Sequence, residues 1–264
     1  MTEENIVIPV TPEILDIVKL IEELENRLAA ILRKVEERLG KYEAEKEAFN
    51  LLVIIIRNLD GFLLMLKKDL CLLAPGEALA RPAFEIAVRL LWMLAPNDPF
   101  EREARWIAHL KNEEENRENM AKFWQEIGKA QGEDITLQDV RKFREGISNL
   151  LLEKGYHPLE KMPSLRRMMK DIHEEEKYIV YMILCQSTHG THIATWKYRR
   201  NLGCSEIAGE FITPKDWVLG IRIILYSLII SGKRFLEVMG EDKEEWVTDE
   251  EAARLDNKIR KLVI

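Results

Sequence analysis

Residues 11–35 read TPEILDIVKLIEELENRLAAILRKV, and this stretch decides the fold class. Thr11 can cap a helix whose first position is Pro12, where a missing backbone N–H costs nothing. Steps of three and four place the apolar residues that follow on one face of that helix. They are Ile14, Ile17, Val18, Ile21, Leu24, Leu28, Ile31, Leu32, Val35 and Leu39. The stretch predicts a long amphipathic helix that breaks near Gly40.

Helical spacing recurs along the rest of the chain, and no strand pattern persists. Helix-start residues stand at Asp98-Pro99, Ser164 and Thr213-Pro214, and Thr248 forms a capping box with Glu251. Further helices are predicted over about 44–73, 77–95, 99–129, 136–154, from 164, and over 178–189, 213–240 and 248–264. We predict an all-α fold, an irregular multi-helix bundle built on a long antiparallel N-terminal helical hairpin.

The predicted organisation is a single helical domain over residues 1–264. In it, residues 12–73 form the hairpin, 77–240 the bundle core and 248–264 a C-terminal helix. No repeat or linker divides the chain, and a domain of this length buries enough surface to be stable. The seventh helix, 178–189, is predicted to be buried, and the polar middle of the fourth, 111–119, to face water.

Charge and composition argue against several classes of function. The net charge of −7 argues against extended nucleic-acid binding, which needs a positive face. The apolar stretch 51–66 contains Arg57 and Asp60, so it is predicted to be a core helix and not a membrane span. The acidic N-terminus lacks the pattern of a secretory signal, and three cysteines without a CxxC pair fit reduced thiols. We therefore expect a cytoplasmic location and no membrane partner.

The third predicted helix carries Arg81, Glu85 and Arg89 at positions i, i+4 and i+8 of one face, among apolar neighbours. Pro82 is expected in the first turn of this helix or at a kink. Two interpretations stay open. The charges form an ion-pair ladder at the edge of the core, or Arg81 anchors an anion with Glu85 as its orienting partner or a proton acceptor.

Residues 178–192 read YIVYMILCQSTHGTH, an apolar run that ends in hydroxyls and two histidines. His189 and His192 could form a two-histidine, one-carboxylate metal set with Glu85, but HxxH spacing alone is common. Hydrogen-bonded structural histidines are the favoured interpretation, and no metal or cofactor is predicted. A Ser187–His189 nucleophile pair is disfavoured because residues two apart on a helix do not face each other.

Two further patterns could contact nucleic acid. Arg167 and His173 have the spacing of HEPN-class helical ribonucleases, although Met168 stands where that class usually has a polar residue. The alternative is a solvated helix face, and we predict that the two side chains do not share a cleft. Residues 196–200, WKYRR, could stack a base and hold a phosphate, but short basic runs are more often surface loops.

Part of the chain resembles a known family. The residues that carry the resemblance are 80–85 (ARPAFE), 101–106 (EREARW) and Tyr181 followed by 187–189 (STH). They are similar to a bacterial all-helical family, domain of unknown function 5677, over roughly residues 51–230. The resemblance implies an all-helical fold and no established reaction. Its pattern falls on Arg81, Glu85, Tyr181, Ser187, His189 and His192, and implies that the third and seventh helices share one polar site.

These observations predict a cytoplasmic helical-bundle protein with a polar pocket where the third and seventh helices meet. The expected ligand is a small anionic or nucleotide-like molecule of unknown identity. One alternative is a HEPN-like ribonuclease of phage defence or of a toxin–antitoxin system. The other is a protein–protein interaction module that acts through the N-terminal hairpin. Catalysis and assembly into a homodimer are left open.

Overall fold

A computed structural model describes residues 7–129, 135–191 and 212–263, with side chains from residue 137 in the second range. Ten α-helices and no strand occur in these ranges, so the all-α prediction is confirmed. The helices are α1 (Pro12–Glu36), α2 (Glu43–Lys68), α3 (Leu73–Leu94), α4 (Pro99–Glu126), α5 (Ile135–Glu153), α6 (Leu165–Asp171), α7 (Tyr178–Thr188), α8 (Pro214–Val238), α9 (Lys243–Trp246) and α10 (Asp249–Arg260). Short 3-10 turns cover Leu70–Leu72, Glu175–Lys177 and Lys261–Val263.

Helix α3 is the centre of the bundle. It packs most extensively against α2 and α8, and it also contacts α4, α6 and α7. Its buried residues lie on most sides of the helix, as expected for a helix enclosed by others. Buried apolar residues from Ile14 to Ile259 form one connected core. Helix α1 contacts α2 less extensively than α3 does, and the N-terminal hairpin, like the single-domain organisation, stays a prediction.

The boundary between α2 and α3 differs from the predicted one. Helix α2 ends at Lys68, and α3 already begins at Leu73. Asp69 causes the break, since its Oδ1 accepts the backbone N–H groups of Cys71 and Ile8, each at 2.9 Å. Pro75 therefore lies in the first turn of α3, where no intrahelical partner exists for an N–H. Pro82, expected in a first turn or at a kink, lies in the helix interior.

Two tryptophans fix neighbouring helices through close contacts with glycines. A Cβ atom at Gly76 of α3 would lie 2.6 Å from the ring of Trp217 in α8, so only glycine fits there. The indole N–H of Trp217 donates to the backbone carbonyl of Leu70 at 2.9 Å. Gly232 of α8 meets the buried ring of Trp246 in the same way. The Gly76–Trp217 contact holds α3 close to α8, the Gly232–Trp246 contact holds α8 close to α9, and α3 carries the candidate site.

Helix α7 is less buried than predicted. Leu184 is buried, whereas Ile179, Met182 and Ile183 are each at least 45% exposed. The apolar run in the sequence does not distinguish the face that meets α3 from the opposite one. Only the packing partner of α7, which contacts α3 along one side, decides which face is covered.

One carboxylate in the middle of α4 is buried, although residues 111–119 were predicted to face water. Glu114 is 4% exposed, although its neighbours Glu113 and Glu115 face water. Arg144 of α5 donates from Nε to Glu114 Oε1 at 2.6 Å. The buried carboxylate is stabilised by this partner from another helix, which the local sequence of α4 does not indicate.

Within the described ranges, α2 alone is long and apolar enough to cross a membrane by length and composition. Core helices of globular proteins meet the same criterion, so this is a weak indication. Leu52, Ile55 and Leu59 of α2 are fully buried against the other helices.

Candidate functional site

Arg81, the first of the three charged residues singled out on the third helix, lies where α3 meets α7. Arg81 is partly buried, with 19% of its side chain exposed, and its Nε donates to Glu85 Oε1 at 2.9 Å. Because the two residues are four apart on α3, the local helix geometry alone brings them together. Partial burial acts to lower the pKa of Arg81, but the hydrogen bond and charge of Glu85 outweigh burial and raise that pKa.

The outer edge of the Arg81 guanidinium faces α7. Its Nη1 lies 3.4 Å from Nε2 of His189, and its Nη2 lies 3.5 Å from the hydroxyl of Tyr181. The guanidinium carbon also stands 5.4 Å from the centre of the Tyr181 ring, a cation–π distance. The structure thus brings Arg81, Glu85, Tyr181 and His189 together. We call these four residues the Arg81 cluster.

The tyrosine of the Arg81 cluster is kept in its neutral form. Partial burial and a hydrogen bond with Cys185 raise the pKa of Tyr181. Its hydroxyl therefore stays a neutral hydrogen-bonding group beside the arginine. The contact between Arg81 and His189 requires the neutral imidazole with Nε2 unprotonated, since both groups would otherwise be donors.

Ser187 makes a separate contact next to the Arg81 cluster. Its hydroxyl donates to Oε2 of Glu77, which is only 4% exposed. Sequence reasoning singled out Ser187 but missed Glu77. The available signal was spacing, because Glu77 lies four residues before Arg81 and so shares its face of α3.

Residues of opposite charge alternate along this face of α3, at Glu77, Arg81, Glu85 and Arg89. Glu85 is the single carboxylate between Arg81 and Arg89, whose Nη2 lies 4.0 Å from Glu85 Oε2. Arg89 Nε is buried and has no hydrogen-bond partner in the part of the chain that the structure describes. Because Glu77 and Glu85 both share this face, its two guanidinium groups are matched by two carboxylates, and Arg81 is available to an anion through its geometry and not through surplus charge.

Several predicted site features lie outside the described residues. These are His192 and the basic stretch 196–200. Across 7–129, 135–191 and 212–263, no group of three or more histidine, cysteine or carboxylate side chains is arranged to hold a metal. The absence of a tightly bound metal stays a prediction.

The residues of the ribonuclease alternative lie at the surface. Arg167 has 64% of its side chain exposed, and its Nε pairs with Asp171 Oδ1 at 2.9 Å. His173 is exposed and has a positive φ of 59°, so it follows α6 in a left-handed turn. Arg167 lines a cavity, and His173 is not among the described residues around it.

Fold and site together define the class of protein: a helical bundle with a partly buried arginine cluster between two of its helices. The particular family follows from the sequence. A model of a family of unknown function, DUF5677, matches residues 45–206, and the chain belongs to this family. The matched region contains all but the first two residues of α2 and the whole of α3 to α7, and therefore both sides of the Arg81 cluster. No curated protein and no solved structure matches the chain. A bacterial source remains a prediction.

Proposed function

We propose that the protein binds a small anionic ligand, a phosphate or carboxylate group, at the Arg81 cluster. The observation that carries this proposal is the length of the contacts that the two Arg81 Nη groups make. Their contacts with His189 and Tyr181 are 3.4 and 3.5 Å long, at the limit of a hydrogen bond. Charge-assisted bonds to an oxyanion are shorter, about 2.7–2.9 Å, so an anion would replace two weak contacts with two strong ones.

Geometry and hydrogen-bonding chemistry support the same proposal. Glu85 holds Nε of Arg81 and so orients the guanidinium, which leaves its two Nη groups to form a fork toward a ligand. Tyr181 can add a hydroxyl donor to that ligand, and His189 can add an imidazole N–H once the anion has replaced its contact with Arg81. We further propose that the protein acts in the cytoplasm as a binding protein. No described contact favours the ribonuclease or the interaction-module alternative.

The experiment measures binding of inorganic phosphate, adenosine monophosphate and uncharged adenosine by isothermal titration calorimetry. We expect an anion to bind the wild type and adenosine to bind more weakly. Arg81→Met and His189→Ala should each weaken anion binding, the arginine change by about tenfold or more. Arg117→Gln is the matched control, because Arg117 forms an i,i+4 ion pair with Glu113 on another helix.

Arg81→Lys separates charge from geometry, since lysine keeps the charge but lacks the planar fork. We expect it to lose most of the affinity while the protein stays folded by circular dichroism. The proposal is wrong if no anion of this panel binds the wild type. It is equally wrong if Arg81→Met binds inorganic phosphate as tightly as the wild type.

A further inference from the structure

A second arginine faces a cavity away from the Arg81 cluster. The cavity has a volume of about 540 Å³ and lies between Trp92 of α3, Arg105 of α4, Arg167 of α6 and the loop between α5 and α6. Its volume is within the range of small-molecule sites, about 300–1,000 Å³. We call it the Arg105 cavity.

Arg105 lines this cavity as a partly buried arginine that is bonded to a backbone carbonyl and not to a carboxylate of the described residues. Its Nη1 donates to the backbone carbonyl of Trp92, and its guanidinium lies over the Trp92 ring at 5.1 Å. No ion pair joins it to a carboxylate within the described ranges. Burial lowers the pKa of Arg105, and the more distant charges of Asp171 and Glu101 only partly oppose this effect. The guanidinium is therefore a half-buried cation without a direct counter-ion among the described residues.

A second cation stands at the mouth of the Arg105 cavity. Arg167 binds Asp171 through Nε, and its Nη groups have no hydrogen bond to a described residue. The exposed Glu101 also lines the cavity and places a negative charge there. An anion in the cavity would thus be attracted by two arginines and repelled by Glu101 and, less strongly because it is already paired with Arg167, by Asp171, which also lines the cavity.

We propose that the Arg105 cavity binds an organic molecule that carries a phosphate or carboxylate group. Arg105 and Arg167 hold the oxyanion, and the body of the molecule packs on the apolar part of the wall. That part is formed by Trp92, Tyr156, Leu159 and Pro163. The cavity is much larger than one phosphate ion, which takes up only a fraction of this volume, so an organic body is part of the fit. This site is distinct from the Arg81 cluster and does not depend on it.

The test uses phenyl phosphate, benzoate, inorganic phosphate and benzyl alcohol as probes in isothermal titration calorimetry. Phenyl phosphate or benzoate should bind more tightly than either inorganic phosphate or the neutral alcohol. The ratio of the affinities for phenyl phosphate and benzoate identifies the preferred oxyanion. Arg105→Gln is expected to weaken binding about tenfold or more, and Arg167→Gln by several-fold. Glu101→Gln should strengthen binding, because it removes the repelling charge.

Arg166→Gln is the matched control, since Arg166 is equally exposed, pairs with Glu175 and does not line the cavity. The Arg105 and Arg167 variants are made in an Arg81→Met background, so that any phosphate binding at the Arg81 cluster does not contribute to the measured affinity. Arg167 is exposed, so its variant tests the proposal even if Arg105→Gln fails to fold. Equal binding of benzyl alcohol and phenyl phosphate overturns the proposal. So does unchanged affinity in Arg167→Gln, or no binding by any probe.

Discussion

Arg81 Nη1 on α3 lies 3.4 Å from His189 Nε2 at the end of α7, although the two residues are 108 positions apart in the chain. This contact joins the ion-pair ladder of α3 to the hydroxyl and histidine segment that follows the apolar run of α7. It requires an unprotonated imidazole nitrogen toward the arginine. Arg81 thus bonds to Glu85 on its own helix and contacts His189 on a second helix. What Arg81 and Glu85 contribute to stability can be measured.

The stability of Arg81 and Glu85 variants should distinguish a structural ion pair from a ligand site. If the pair is structural, Arg81→Met or Glu85→Leu leaves one partly buried charge without its partner. This should lower the free energy of unfolding by about 1–3 kcal/mol, between the values for exposed and fully buried pairs. The double variant should then recover much of the loss.

If the pair serves a ligand, the double variant should be as stable as the wild type or more stable, because binding sites are seldom optimised for stability. Any rise in melting temperature caused by an anion should disappear in it. Thermal melting of the two single variants and the double variant, with and without phosphate, provides the measurement. An anion effect that survives in the double variant excludes this pair as the site.

Ser187→Ala should destabilise the protein because it removes a hydrogen bond to the buried carboxylate of Glu77. We expect a loss of about 1–3 kcal/mol by urea unfolding. Thr188→Ala is the control, since the exposed Thr188 hydroxyl donates to the carbonyl of Leu184 in its own helix. That change should cost no more than about 0.5 kcal/mol. Equal effects of the two changes would contradict a specific role for the Ser187–Glu77 bond.

Gly232→Ala should destabilise the bundle, whereas Gly146→Ala should stabilise it. A Cβ atom at Gly232 would come closer than 3.0 Å to the ring of the buried Trp246, so the ring or helix must shift. Such overpacking costs about 1–3 kcal/mol. Gly146 lies exposed within α5 with no atom near its Cβ position, and alanine there gains up to about 1 kcal/mol in helix propensity. Thermal melting of both variants measures the contrast; two changes of the same sign would refute it.

Glu103 should make stability fall as pH rises toward neutrality. Burial raises the pKa of Glu103 to about 7, although its carboxylate accepts the backbone N–H of Ala44 at 2.7 Å. The folded state therefore holds a proton that the unfolded state has released between about pH 4.5 and 7, and folding is favoured at the lower pH. Glu103→Gln stays neutral throughout and keeps an acceptor for Ala44.

Relative to the wild type, Glu103→Gln should gain stability as the pH is raised from about 5 to about 8, by roughly 1–3 kcal/mol. Urea unfolding of both proteins across this range measures the difference. Comparing the two curves removes the contribution of all other titrating groups. A difference that does not change with pH would show that Glu103 ionises normally.

RNA cleavage that depends on His173 is not expected. Arg167 is held by Asp171 on the surface of α6, and His173 is exposed beyond the end of that helix. The purified protein should leave labelled single-stranded and double-stranded RNA intact under conditions in which a HEPN ribonuclease cuts. Cleavage that is lost in His173→Ala would replace this prediction with the ribonuclease alternative.

Local sequence determined the helices and many of their ends. The three- and four-residue spacing from Ile14 to Val35 and the capping box of Thr248 with Glu251 both correspond to observed helices. These signals are local, because a helix turn joins residues only three or four apart. The pairing of Arg81 with Glu85 was predictable for the same reason.

Tertiary structure decided which faces meet. The buried side of α7, the partner of Glu114 and the contact between Glu77 and Ser187 all depend on residues far apart in the chain. Arg105 stood in the sequence as one charge among several, and only the packing of α3, α4 and α6 placed it at a cavity without a direct counter-ion. Periodicity defines the apolar face of a helix but not the helix that covers it, because that choice depends on how side chains from distant segments fit together.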